Sequence, residues 1–187
     1  MAPPVLKGPF TVETYRRLGE LGILREDDRV ELIDGQVVEM TPIGPDHGGC
    51  VNRLTALFAP LGSRQMATLA VQNPLVLNER QAPQPDVALL RYRKDGYRAK
   101  HPGPADTLLV IEVADTSLVY DRDTKIPLYA RAAIPEAWLV DLVAEIISVF
   151  RRPGPDAYGD IVTVRRGEIL RPLLLPDVAL TADEILG

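Results

Sequence analysis

Three ionisable residues in the middle of the chain have the types from which a metal-assisted reaction is built. Asp86 directly follows Pro85, Glu112 interrupts an apolar run, and Lys125 comes shortly after it. Two carboxylates that converge can hold a magnesium ion, which prefers oxygen ligands and keeps several of its waters. Such an ion polarises a phosphate and activates a water, while a nearby lysine orients the water or offsets charge in the transition state. The residue types therefore indicate phosphate-ester hydrolysis, provided that folding brings them together.

Glu112 is the least expected of the three because it lies inside the apolar run 107–114, TLLVIEVA. This run is rich in β-branched residues and shows no polar alternation, which predicts a strand covered on both faces. An ionised carboxylate there costs several kcal/mol unless a cation or hydrogen-bond donors compensate it. Glu112 is thus either part of a site or a structural acid that pairs with Lys125.

Asp86 is expected at the beginning of a strand. Pro85 holds the residue before it in an extended conformation, and the apolar run 87–90 follows. The alternative is that Asp86 merely ends a turn.

A basic segment, residues 91–100, follows that strand. Its cations are Arg91, Arg93, Lys94, Arg98 and Lys100, and its aromatic residues are Tyr92 and Tyr97. Cations interleaved with aromatic residues are typical of nucleic-acid contacts, and a solvated loop of the same composition is the competing interpretation.

Lys125 is predicted to lie on a helix over residues 124–133. Asp121 or Asp123 is the expected N-cap, and Pro127 is tolerated because it falls near the first turn. Lys125 and Tyr129 are four residues apart and therefore share one face of this helix.

The N-terminal third adds two predicted helices and a hairpin. Helical spacing of apolar residues marks 11–21 and 50–61, and Asp34-Gly35 between apolar runs is the typical hairpin turn. On this hairpin Glu31 alternates with apolar residues, so the pattern alone favours a solvent-facing side chain. His47 lies at the start of the second helix, where a cap or surface role is the more common one.

The C-terminal third contains apolar strands around 136–142, 145–150 and 161–166. Together with the alternating strands and helices of the middle, they predict a mixed central sheet flanked by helices, of the α/β or α+β class. We expect a single domain over residues 1–187.

Bulk composition excludes several classes of protein. The chain has 187 residues, a net charge of -5, one cysteine and two histidines, which leaves no disulfide and no zinc site built on cysteine. The sequence contains no segment expected to span a membrane and no signal-peptide layout, so we expect a cytoplasmic protein. The acidic balance argues against a non-specific DNA-coating protein but is compatible with carboxylates that hold a metal.

Four segments together resemble a known family. The segments are ELIDGQVVEMTPIGPDHG, PDVALL, VIEVADTS and YDRDTKIPLYARAAIPEAWLVD. They are similar to the Uma-two-like restriction endonuclease family, a branch of the PD-(D/E)xK nuclease superfamily. The resemblance covers most of the chain and implies a restriction-endonuclease-like core with an N-terminal β-hairpin.

The resemblance also implies roles for individual residues. Asp86 corresponds to the acid of the PD element and Glu112 to the second acid, with the carbonyl of Val113 as a third metal ligand. The superfamily's lysine is expected two residues after the second acid, where this chain has Ala114. The pattern of the branch transfers that role to Lys125.

Further residues enter the implied site with smaller roles. Glu31 becomes a helper carboxylate, and His47 becomes a candidate contact for substrate or phosphate. The other candidate substrate contacts are Tyr129, Arg91, Arg93 and Lys94.

The resulting hypothesis is a DNA endonuclease that depends on magnesium, with manganese as a substitute. Cutting both strands of a duplex with one site per chain makes a homodimer the natural assembly. The alternative is a protein that binds nucleic acid or a partner on a nuclease fold without cutting. Its support is the acidic charge, the alanine at position 114 and the lack of a recognisable target-recognition domain.

Overall fold

A computed structural model of the protein describes residues 4–6, 8–25 and 27–187. The strands, in chain order, are β1 (Pro4–Leu6), β2 (Val30–Ile33), β3 (Gln36–Glu39), β4 (Ala67–Val71), β5 (Val87–Arg91), β6 (Thr107–Ala114), β7 (Glu136–Asp141), β8 (Ile146–Pro153), β9 (Tyr158–Arg165), β10 (Ile169–Leu170) and β11 (Leu180–Thr181). The helices are α1 (Val12–Glu20), α2 (Pro45–Phe58), α3 (Pro60–Ser63), α4 (Leu118–Tyr120), α5 (Ile126–Arg131) and α6 (Ala182–Leu186).

Six strands form a mixed sheet in the order β4-β5-β6-β7-β8-β9, in which β6 and β7 are parallel and the other neighbours antiparallel. A smaller sheet, β1-β3-β2, is built on the N-terminal hairpin. The predicted mixed sheet with flanking helices and an N-terminal hairpin is confirmed.

Strand β6 is buried along its whole length because both faces of the sheet are covered. Leu109 and Ile111 belong to the core that α2 covers, whereas Val110 and Ala114 belong to the core on the α5 side. Side chains alternate between the faces of a strand, so Glu112 projects with Val110 toward α5. The sheet therefore aims this acid at the helix that follows β6.

The predicted hairpin turn at Asp34-Gly35 is confirmed. Both residues have positive φ, 51° and 74°, as the tight turn of a two-residue hairpin requires. Leu32 exchanges two backbone hydrogen bonds with Ala82, which tie the hairpin to the segment before Asp86. These bonds hold the small sheet next to the segment that leads into β5.

The two helices predicted in the N-terminal third are also present. Thr11 caps α1, with its side chain accepting from the N–H of Thr14. Helix α2 begins earlier than the apolar spacing suggested, at Pro45, and ends at Phe58. His47 consequently lies in its first turn.

The segment that carries Lys125 differs from the prediction. A continuous helical stretch runs from α4 through a π-helical turn, Asp121–Lys125, into α5, so Asp121 is inside the helix and does not cap it. Pro127 has no N–H to donate and its ring crowds the carbonyl four residues earlier. The wide turn directly before it accommodates the proline, and it leaves both Asp121 and Lys125 buried. Such π-turns are frequent at functional sites.

The C-terminal part closes the core. Strands β7, β8 and β9 form an antiparallel meander, and Thr181 caps α6, which contacts α2. Within the part of the chain that the structure describes, none of the helices has the length and apolar character needed to cross a membrane.

Candidate active site

The pairing of β5 with β6 brings Asp86 and Glu112 together. Val87 faces Ile111 in the antiparallel register, so Asp86 and Glu112, one position further along each strand, stand opposite each other. Residues in such positions have Cβ atoms about 5 Å apart and side chains on one face. The backbone N–H of Val113 donates to Asp86 Oδ2 at 2.9 Å, which fixes this carboxylate against β6.

Lys125 reaches the same place from the π-turn. Its Nζ lies 2.8 Å from Glu112 Oε1 and 3.3 Å from the carbonyl oxygen of Gln84. The π-turn thus supplies an ammonium beside Glu112, although β6 itself carries Ala114 at the position where the sequence resemblance led us to expect a lysine.

Glu31 is buried, in contrast to the solvent-facing position that the hairpin pattern favoured. The side chain is 1% exposed, and it accepts from Tyr120 Oη at 2.9 Å and from the N–H of Gln84 at 3.0 Å. Its Oε2 lies 3.7 Å from Lys125 Nζ. The tether between the hairpin and residues 81–84 explains the difference, because it turns this face of β2 toward the large sheet.

His47 lies next to Asp86 rather than on the open surface. Its Nε2 is 3.1 Å from Asp86 Oδ2, and this hydrogen bond raises the pKa of the imidazole. Burial raises the pKa of Asp86, but the hydrogen bond from His47 and the charge of Lys125 outweigh burial and lower it. Asp86 is therefore ionised at neutral pH.

Asp121 is a further acid at this place, and the sequence suggested for it only a capping role. It is 4% exposed, accepts from Ser117 Oγ and lines the same cleft as Glu112. The signal that could have identified it is its spacing: Asp121 and Lys125 are four residues apart and share one helix face.

These side chains line a cleft of about 370 Å³. The loop that enters α2 forms one wall, and α4 with the π-turn forms another. The cleft also contains Arg29, which the sequence did not single out. Among the residues that the structure describes, no carboxylate forms a salt bridge with the guanidinium of Arg29.

The cleft contains more acidic than basic side chains. The buried acids are Glu31, Asp86, Glu112 and Asp121, and the buried cation is Lys125. Burial raises the pKa of Glu112 well above its ordinary value, with Lys125 opposing that change. Burial lowers the pKa of Lys125, but the charges of the surrounding acids, first Glu112, outweigh it and hold this pKa well above the ordinary value. Lys125 is thus an ammonium at neutral pH, surrounded by an excess of acids.

The donor set fits a magnesium ion with a largely aqueous shell. Glu112 Oε1 is occupied by Tyr129 Oη and Lys125, whereas Oε2 accepts no hydrogen bond from the described residues. Asp86 Oδ2 accepts twice and Oδ1 once, from Gln72, so Oδ1 keeps one lone pair. In residues 4–6, 8–25 and 27–187 no three His, Cys, Asp or Glu side chains form a complete metal cage. Magnesium does not need one, because one or two carboxylates together with waters and substrate phosphates suffice.

Other candidate contacts lie away from the open cleft. Tyr129 is fully buried and donates to Glu112 Oε1, so it touches the acid from behind. Arg91 lies at the opposite end of β5 from Asp86, followed by Arg93 and Lys94. Arg93 pairs with Asp95 and stacks on Tyr97. The basic segment therefore begins at the end of β5 that is opposite to Asp86.

Comparison with known proteins gives one family and a structural neighbour. The profile of the Uma2 family, described as "Putative restriction endonuclease", matches residues 12–183. The fold is similar to the crystal structure of a putative nuclease belonging to DUF820 from Anabaena variabilis ATCC 29413, with a TM-score of 0.73 and 15% sequence identity. That match covers 90% of this chain and 96% of the other. No sequence among curated proteins matches this chain.

Proposed function

The chain belongs to the Uma2 family, described as "Putative restriction endonuclease", and from this premise we propose that it is a magnesium-dependent DNA endonuclease that hydrolyses phosphodiester bonds. The nuclease fold and the family support nuclease function. The observation that carries the metal-dependent mechanism is the convergence of Asp86, Glu112 and Lys125 in one cleft.

Asp86 and Glu112, with the carbonyl of Val113, are the residues that would hold the ion. When bound, magnesium supplies Lewis-acid activation of the phosphate and of a water nucleophile. Manganese prefers the same oxygen ligands and is the expected substitute.

The protein residues around this pair have distinct tasks. Lys125 remains protonated, and its charge stabilises the negative charge that develops on the phosphate during attack. Tyr129 and Lys125 hold Glu112 by one oxygen, which leaves the other free to face the cleft. Glu31 is fixed by Tyr120 and adds a helper carboxylate beside Lys125.

Metal dependence is the first test of this function. Purified protein stripped with a chelator should not cleave plasmid or oligonucleotide DNA, and added magnesium or manganese should restore cleavage. The same ions should raise the melting temperature, since a ligand that binds only the folded state stabilises it. At an ion concentration of 100 times Kd, the free energy of unfolding should rise by about 2.7 kcal/mol. Calcium, which occupies oxygen sites of looser geometry, is the control for binding without turnover.

Absence of cleavage across double-stranded, single-stranded and branched DNA with all these ions would contradict the proposal. Tight metal-independent DNA binding in the same assays would favour the alternative of a non-cleaving binding protein. A two-fold assembly is part of the proposal, and light scattering during size exclusion measures it.

Arg29 is expected to contact a substrate phosphate. The other basic side chains of the cleft are paired with acids, since Lys125 contacts Glu112 and His47 contacts Asp86. Arg29→Met should therefore raise KM for DNA by about 10-fold with little change in kcat, the effect of losing one charged hydrogen bond. The substitution should also reduce the slope of log affinity against log salt concentration by about 1, as expected when one phosphate contact is lost.

Arg64→Met is the matched control for Arg29→Met. Arg64 is an exposed arginine in the turn after α3, and it does not line the cleft. A loss of kcat without a change in KM in Arg29→Met would show that Arg29 does not act by binding substrate.

A further inference from the structure

We propose that Gln72 is a positioning residue that holds Asp86 in the orientation needed to bind the metal. No sequence motif pointed to this residue, which follows the last position of β4. The inference rests on the proposed metal-dependent function and adds to it the residue that controls the free oxygen of Asp86.

Gln72 contacts Asp86 twice. Its backbone N–H donates to the carbonyl of Asp86 at 3.1 Å, and its Nε2 donates to Asp86 Oδ1 at 3.1 Å. Val71 faces Val87 in the antiparallel register, so Gln72 and Asp86 continue the same ladder by one position. The residue therefore fixes both the backbone and the carboxylate of Asp86.

The backbone of Gln72 is held in an uncommon conformation. Its φ is 51°, which lies in the left-handed region that residues other than Gly, Asn and Asp rarely adopt. Such a conformation persists where surrounding interactions over-determine it, and it concentrates at functional sites. Here the residue in the left-handed conformation, Gln72, is also the one that makes two hydrogen bonds to Asp86.

The two oxygens of Asp86 are restrained in different ways. Oδ2 accepts from the N–H of Val113 and lies 3.1 Å from His47 Nε2, whereas Oδ1 accepts from Gln72. A carboxylate oxygen offers about two lone-pair sites, so Oδ1 retains one for a cation. By donating to one site of Oδ1, the Gln72 amide restrains the rotation of the carboxylate and leaves the other site for the ion.

This arrangement has a measurable consequence for metal affinity. Residues that hold a ligating carboxylate typically change metal affinity or activity by about 10- to 100-fold when they are replaced. Gln72→Met keeps the length of the side chain but removes both the donor and the acceptor. We expect it to raise the Kd for magnesium, measured by isothermal titration calorimetry on metal-free protein, by about 10- to 100-fold.

Gln65→Met is the control, because Gln65 is the same residue type and also has a positive φ, 58°. It is exposed and lies near the other end of β4, just before the strand begins. This variant should leave the magnesium Kd unchanged. A purely structural role for Gln72 predicts a lower melting temperature of the metal-free protein with an unchanged Kd. The proposal predicts the reverse, a weakened Kd and a smaller rise in melting temperature on adding magnesium.

Gln72→Asn guards against a folding failure of the methionine variant. Asparagine tolerates the left-handed conformation better than glutamine, but its amide is one methylene shorter and falls short of Oδ1. It should weaken magnesium binding without lowering the stability of the metal-free protein. Wild-type protein that binds no magnesium would contradict the proposed function itself. Wild-type binding with equal Kd values in Gln72→Met and Gln72→Asn would overturn the role of Gln72 alone.

Discussion

Replacing Glu112 with glutamine should reduce DNA cleavage by about 1000-fold, which corresponds to ~4 kcal/mol of lost transition-state stabilisation. Glutamine retains the shape of the side chain and removes the charge that the proposed ion requires. The measurement is kcat/KM on plasmid or oligonucleotide DNA in magnesium buffer, together with the magnesium Kd.

The fold should survive this substitution. Burial already raises the pKa of Glu112, so a neutral group at this position is tolerated. The change also removes one acid from a cleft in which acidic side chains outnumber basic ones. We therefore expect the melting temperature of the metal-free protein to be unchanged or higher.

Glu79→Gln is the matched control for Glu112→Gln, because Glu79 is exposed and lies outside the cleft. It should cleave at the wild-type rate. Robust cleavage by Glu112→Gln would contradict the proposed metal mechanism, whatever the melting temperature of the variant.

Several elements of the fold were predictable from the sequence because their signals are local. The apolar run that became β6, the Asp34-Gly35 turn and the helical spacing of α1 all depend on neighbouring residues. The position of Asp86 directly before β5 followed from the proline before it. Each of these features lies within a few residues of the signal that reveals it.

The environment of individual site residues depended on contacts between distant segments. Glu31 has the alternation of a solvent-facing residue, and only the bonds of the hairpin to residues 81–84 bury it. Gln72 carries no motif, and its role follows from the register of β4 with β5. Residue periodicity describes one element at a time, so it does not show which elements contact each other at the site.

The π-turn is the intermediate case. The sequence predicted a helix that begins near residue 124, with Pro127 tolerated in its first turn. The structure instead continues the helix and widens one turn, which places Asp121 inside the cleft. A proline admits several local solutions, and packing against β6 and β2 selects among them, because Lys125 contacts an acid from each strand.

Replacing Lys125 with methionine should have a different signature from that of Glu112→Gln. Cleavage should again fall by about 1000-fold, because the positive charge proposed to stabilise the transition state is lost. The metal-free protein should also lose about 3–5 kcal/mol of stability, since removing one partner leaves buried acids uncompensated. Thermal or urea unfolding without metal measures this loss, with Lys100→Met as the exposed-lysine control.

Magnesium distinguishes the catalytic from the structural role of Lys125. The ion supplies positive charge to the same acids, so it should raise the melting temperature of Lys125→Met by more than that of the wild type. Stability restored by magnesium while cleavage remains absent would assign Lys125 to the reaction itself. Full recovery of cleavage together with stability would instead make Lys125 a structural counter-ion for Glu112 and Glu31, and the reaction would then depend on the carboxylates alone.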